Sequence, residues 1–307
     1  MDTALRLQSF HVSLLKVYHT LWGGNVLLKS VLDRKPKMLF FHGKGGVGKS
    51  SMAIATALAL KQSGKNVLLA MIQNPWEKSL EGPDFVQGVP VLKVDFLPSL
   101  HEYITLKLKN HTMSDMLVHN ALFERLAKVT PGLSDLVALG KPWFEVNHYD
   151  MVLLDMPSTG HGLTMIQSVA NFATLFGSGV LFQDAHQMKL DLGSGAFSLH
   201  IWVCLAQSLV VGETMEAIKQ CGNFYDLEQM SLAVILNKLW PADSIAKGSG
   251  TEGRPEFVFG RAKLLEQDKQ IKILEEGVAK LKKTAMIERM PFFIEEDPIG
   301  FMSKSLG

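Results

Sequence analysis

The stretch Gly43-Lys44-Gly45-Gly46-Val47-Gly48-Lys49-Ser50-Ser51 constrains this chain more than any other. It fits G-x-x-x-x-G-K-[ST], and it lies between an apolar run, Met38 to His42, and a stretch of helical composition, Ser50 to Ser63. Glycines at this spacing let backbone N–H groups turn inward around phosphate oxygens. A helix starting at Ser50 would aim its positive end at the same anion. Lys49 is then placed to reach the β- and γ-phosphates of a nucleotide, and the Ser50 hydroxyl to ligate Mg²⁺. The motif demands a strand before the loop and a helix after it, so it predicts architecture as well as ligand.

The rest of the chain repeats that alternation. Met38 to His42, Asn66 to Ala70, Met151 to Asp155, His200 to Leu205 and Leu232 to Leu236 read as strands buried on both faces. Helices are expected at Ser50 to Ser63, His101 to Lys128, Leu163 to Leu175, Glu213 to Cys221 and Arg261 to Lys283. The last carries Ile271, Leu274, Val278 and Leu281 on one face, the mark of a core-facing helix. The expected fold is α/β: a mostly parallel twisted sheet with helices on both faces, of the P-loop NTPase kind. Residues 38–307 read as one ATPase domain with a helical insertion at about 101–130 and 162–190. Lys247 to Pro255 reads as a loop by composition.

Residues 1–37 read as an N-terminal helical extension, with Phe10, Leu14, Tyr18 and Leu21 at helical spacing. A short docking helix, a membrane-surface anchor and an over-long start are the readings open for it. Two segments without formal charge, His161 to Gln183 and Leu192 to Gly212, are interrupted by polar residues and glycine. They read as buried helix and strand, or as apolar surface for a hydrophobic client, rather than as membrane spans. A net charge of +1 offers no basic surface for nucleic acid. Cys204 and Cys221 are the two cysteines, too few for a disulfide framework or a Cys-x-x-Cys zinc knuckle, so no zinc is expected. That usage suits the cytoplasm, with peripheral membrane placement as an alternative.

Asp155 ends an apolar run and is followed by Met156-Pro157-Ser158-Thr159-Gly160-His161. An Asp at the carboxyl end of a strand beside a P-loop is placed to hold Mg²⁺ or its water, although a capping Asp would look the same. With the P-loop, this segment resembles the ArsA/GET-type ATPases, whose second switch usually reads Asp-Thr-Ala-Pro-Thr-Gly-His. Further matches follow in order: Glu102-Tyr103-Ile104, Pro131-Gly132, Glu213-Thr214 at a helix start, Asn237-Lys238 at a strand end, and Pro291-Phe292-Phe293. The resemblance implies that Asn237 and Lys238 read adenine and that Pro291 closes over the base. Without it, Asn237 and Pro291 would read as turn residues. It implies that Thr159, Gly160 and His161 sense the γ-phosphate. A second loop lysine, here Lys44, marks the deviant Walker A class, in which it reaches the nucleotide of a facing subunit.

The first switch departs from the family. The usual Asp-Pro-Ala-His carries the Asp that positions water, whereas this chain has Gln73-Asn74-Pro75-Trp76. Gln73 or Asn74 holds the Asp position, depending on where the alignment is pinned. An amide can orient water but cannot take its proton, so slow hydrolysis is expected. The cysteine trio of arsenite pumps is absent too. The resemblance therefore implies a Mg-ATP-binding protein that dimerises with itself or with a homologous ATPase and couples nucleotide state to a partner, a hydrophobic client or a membrane protein. Met113, Met116, Met165 and Met188 offer adaptable apolar surface for that client, unless they are core residues. The alternative is a catalytically silent regulatory subunit of a heterodimer. A membrane-positioning ATPase of the MinD/ParA kind fits less well, because the tail from Ile299 is too short for an anchor.

Overall fold

Runs of four or five apolar residues must be buried on both sides, and the structure supplies both sides. The computed structural model describes residues 26–72, 84–108, 130–175, 180–240 and 255–291. Along the first half run α1 (Val26–Arg34), β1 (Met38–His42), α2 (Lys49–Gln62), β2 (Val67–Met71), β3 (Phe85–Val86), β4 (Val89–Lys93) and α3 (Phe96–Leu108). Then come α4 (Leu133–Glu145), β5 (Met151–Asp155), α5 (Thr159–Leu175) and α6 (Val180–Gly193). The last part holds β6 (Ser198–Leu205), α7 (Ser208–Cys221), β7 (Ser231–Leu239), α8 (Pro255–Leu281) and β8 (Met286–Pro291).

The strands form one sheet in the order β3-β4-β2-β5-β1-β6-β7-β8. All pairings are parallel except the β3–β4 hairpin. Leu39 and Phe41 of β1 pack toward α2 in one core, while Met38 and Phe40 pack toward α4 and α5 in the other. Each such side chain fully buried contributes about 1.5–3 kcal/mol. The helix α2 is wedged so deeply that Met52, Ala53 and Ala55 through Leu60 are all buried, which is why alanine recurs along it. Helices thus cover both faces, as expected. β1 sits between β5 and β6, so the crevice at the carboxyl ends of these central strands opens beside the P-loop.

The differences from the sequence reading have local causes. α5 begins at Thr159 and α7 at Ser208, each several residues earlier than the apolar periodicity suggested. The first turn of α7 buries Val210 and Val211 but leaves Leu209 exposed, and Glu213 lies inside the helix rather than at its start. α4 went unread because Gly140 and Pro142 lie inside it. β8 went unread because it is an edge strand: Glu288 and Arg289 interrupt its apolar pattern and it ends on Pro291.

Met165 and Met188 are core residues, buried in the cluster under α4, α5 and α6, and so are not open client surface. Met113 and Met116 lie outside the described residues, as do Phe10, Leu14, Tyr18 and Leu21 of the N-terminal extension. Cys204 and Cys221 are buried, and burial pushes their thiols up to about 11 and about 12. Both behave as small apolar side chains.

Candidate phosphate-binding site

The loop from Gly43 to Gly48 leaves β1 and enters α2, and its glycines are there for two physical reasons. Gly43, Gly46 and Gly48 have φ of 145°, 81° and 99°, in the region that favours glycine. At Gly43 a Cβ would also lie 2.4 Å from the Val203 carbonyl oxygen, and at Gly48 2.5 Å from Asn237 Nδ2. The loop is therefore clamped against β6 and β7. Gly48 stands at the amino end of α2 with no side-chain cap, so the first N–H groups of the helix have no capping oxygen of their own. That end is built to receive an anion.

Charged groups converge on it. Lys49 Nζ donates to the Lys44 carbonyl at 3.3 Å, which folds the ammonium over the loop. Burial lowers the Lys49 pKa, while the Asp155 carboxylate opposes that shift. Asp155 ends β5, which pairs with β1 so that Asp155 stands beside Phe41. Burial raises its pKa, and a hydrogen bond from Ser50 and the Lys49 charge pull it back. Ser50, Lys49 and Asp155 thus come together, as expected. The pair Ser50 and Asp155 offers a hydroxyl and a carboxylate, an oxygen donor set suited to Mg²⁺. Ser51 lies in the same first turn of α2.

Lys44 points another way. Its Nζ forms an ion pair with Glu213 Oε1 of α7 at 2.7 Å, and both side chains are more than a third exposed. An open cleft of about 760 Å³ lies beside this pair, lined by Thr159, Gly160, Leu163, Leu209 and Glu213 among others. Thr159, Gly160 and His161 form the first turn of α5, and His161 Nε2 is buried without a partner among the described residues.

Asn237 is tied to the loop. Its Nδ2 donates to the Val47 carbonyl at 2.8 Å, and its Oδ1 accepts from the Lys238 N–H at 2.8 Å. Lys238 has a positive φ of 54° and its Nζ donates to the Gly46 carbonyl. The β7–β8 register shifts here, between Leu236 and Leu239. The Asn237 amide is thus engaged with the phosphate loop in this structure. Next to it lies a cavity of about 330 Å³, lined by Leu205, Gln207, Lys238, Trp240 and Gln267 among others. Trp240 and Gln267 were missed by the sequence reading. Gln267 clasps the Trp240 backbone by both its N–H and its carbonyl. A tryptophan three residues beyond Asn237 was the available signal. Pro291 closes β8, while Gln73, Asn74, Phe292 and Phe293 lie outside the described residues.

Under the loop lies an unforeseen column of rings. Phe40, His200, His42 and Trp202 stack along adjacent positions of β1 and β6. His200 Nε2 donates to the Leu192 carbonyl at 2.9 Å, so its Nδ1 accepts from His42 Nε2 at 3.1 Å. Burial, then the neighbouring charges of His200 and Lys49, hold His42 well below the ordinary histidine range, and burial holds His200 at about 4.

A family model described as anion-transporting ATPase matches residues 36–74, from before β1 past the end of β2. A relative from Aquifex aeolicus named "Putative arsenical pump-driving ATPase 2" is 28% identical over 155 residues, covering 44% of this chain and 50% of the relative. The chain thus spans about half the length of that relative. The ATPase BagA of Mycobacterium tuberculosis is 28% identical over 252 residues, covering 73% of this chain and 72% of the relative. ATPase get3 of Neurospora crassa is 24% identical over 153 residues, covering 46% and 45%.

Proposed function

We propose that this chain, by family an ArsA/GET-type ATPase, is a Mg-ATP-driven switch that pairs two P-loops across nucleotide and relays phosphate state to a partner or hydrophobic client. The carrying observation is the uncapped amino end of α2 with Lys49, Ser50 and Asp155 gathered around it. The loop N–H groups and Lys49 bind the triphosphate, and positioning with charge neutralisation does most of the catalytic work. Mg²⁺, held by Ser50 and Asp155, would supply further neutralisation at the β- and γ-oxygens.

Pairing with a second copy or a homologous subunit is supported by Lys44. It is tethered by an exposed ion pair, and such pairs contribute only about 0–1 kcal/mol, so the side chain is cheaply released toward a facing nucleotide. The open cleft beside it leaves room for the opposing subunit. Relay is supported by packing: α5 carries Thr159 to His161 at its start and packs on α4 and α6. Those two helices, α4 and α6, line with α3 a cleft of about 350 Å³, where Tyr103, Leu106 and Phe144 offer an apolar lining to a client. The cytoplasm, or the cytoplasmic surface of a membrane, is where two buried thiols of this kind belong.

Turnover is slow in this reading, because Gln73 or Asn74 supplies an amide where a carboxylate would assist the water. Losing such help costs roughly 10²–10⁴-fold in rate. The same departure favours a second reading, a catalytically silent subunit that locks ATP for an active homologue. Single-turnover hydrolysis at saturating Mg-ATP, for the wild type and for Gln73→Asp and Asn74→Asp, tests both. Slow wild-type hydrolysis that rises in one Asp variant supports the switch. Fast, partner-independent hydrolysis by the wild type overturns the account of the first switch. Binding without hydrolysis in all three proteins favours the silent subunit.

A further inference from the structure

At the opposite end of the sheet from the P-loop, four strand beginnings come together. Arg34 ends α1 ahead of β1, Ser194 precedes β6, Ser231 opens β7, and Lys282 and Thr284 precede β8. Since β1, β6, β7 and β8 are neighbours in the sheet, these residues line one cavity of about 420 Å³. Its lining is mostly polar. Lys282 is only 5% exposed. Its Nζ donates to the Glu228 carbonyl at 2.8 Å. Arg34 Nη1 donates to Ser231 Oγ at 3.4 Å, and that hydroxyl in turn donates a hydrogen bond to the Gly195 carbonyl at 3.0 Å. Among the described residues, neither cation forms an ion pair with a carboxylate.

Two cations at one cavity, one of them buried, need compensation. A carbonyl oxygen and the carboxyl end of α8 supply part of it for Lys282, but these are partial charges. The Glu228 side chain in the lining is exposed, so water screens it. Most guanidinium and ammonium N–H donors are left for something else, and Ser194 and Thr284 line the cavity with them.

We propose that this cavity is a second anion site, which takes a phosphate group carried by a small molecule, with inorganic phosphate as its simplest occupant. Arg34 and Lys282 supply the charge, and the hydroxyls of Ser194 and Thr284 in the lining supply directional hydrogen bonds to the remaining oxygens, while Ser231 holds Arg34 in place. The volume admits more than a bare ion, which leaves room for the organic part of a phosphorylated metabolite. The site is separated from the P-loop by the length of β1, roughly 16 Å for its five residues, so the two are filled independently.

Calorimetric titration of the full chain with inorganic phosphate tests this, on a Lys49→Ala background that weakens phosphate binding at the P-loop. Saturable binding of one phosphate is expected. Arg34→Gln should weaken it about tenfold, the scale of one charge-assisted contact. Glu228→Gln, which removes the opposing charge, should tighten it severalfold. Lys282→Met should abolish it; should that buried variant fail to fold, the two exposed substitutions decide the matter. Absence of saturable binding overturns the proposal. So does phosphate affinity indifferent to both Arg34→Gln and Glu228→Gln.

Discussion

Replacing Asn237 by alanine separates two roles for that residue, one in the loop and one at the base. Asn237 is 7% exposed, and both ends of its amide are used, toward Val47 at 2.8 Å and toward Lys238 at 2.8 Å. Each bond contributes a net ~0.5–1.5 kcal/mol, so losing both costs about 1–3 kcal/mol. Much of that is order in the phosphate loop, which the ligand must then restore on binding. Affinity should fall between about fivefold and 150-fold. If the loop is what suffers, the loss is the same for ATP, GTP and inorganic triphosphate, because all three share the phosphates. Asn237→Asp should be worse than alanine, since it sets an oxygen against the Val47 carbonyl. Calorimetry with the three ligands is the assay. Unchanged triphosphate affinity, with loss confined to ATP or with vanished preference for ATP over GTP, would refute the loop-anchoring argument and leave Asn237 as a base reader.

Lys49→Ala should weaken ATP binding at least tenfold while the protein stays folded, because one charge-assisted contact contributes roughly 1.5–3 kcal/mol; unchanged affinity by calorimetry would sink the assignment of the phosphate site. Lys44→Ala should leave ADP binding nearly intact but abolish ATP-dependent association in sedimentation, whereas Glu213→Gln should promote association by freeing Lys44. A wild type that stays monomeric with every nucleotide and every homologous partner removes that role. Stability should also depend on pH through His42 and His200, whose folded-state pKa values are depressed by burial. Above the ordinary value of 6.5 both states hold neutral rings and nothing changes. Below it the unfolded chain binds protons that the folded chain refuses, so stability falls by up to about 1.4 kcal/mol per pH unit for each histidine, until His200 itself titrates at about 4. Urea midpoints between neutral and mildly acidic pH check this, and a flat profile in that window counts against the stacked neutral pair.

Much of the fold was legible because it depends on short-range pattern. Continuous apolar runs mark strands covered on both faces, and glycine spacing followed by Lys49 and Ser50 marks a loop that opens a helix. Both signals are local, and the structure repeats them as β1, the loop and α2. Elements that contradict their own local signals were lost: α4 with Pro142, and the edge strand β8 with its charges. The sequence by itself determined that a glycine loop would stand between a strand and a helix, with Lys49 and Ser50 opening that helix. Only tertiary structure decided what holds that loop. Asn237 reaches Val47 across 190 residues, and Glu213 reaches Lys44 across 169. It also gathered Arg34, Ser231 and Lys282 at one cavity. These contacts follow from the strand order β1-β6-β7-β8, which non-local pairing chooses and periodicity along the chain does not encode.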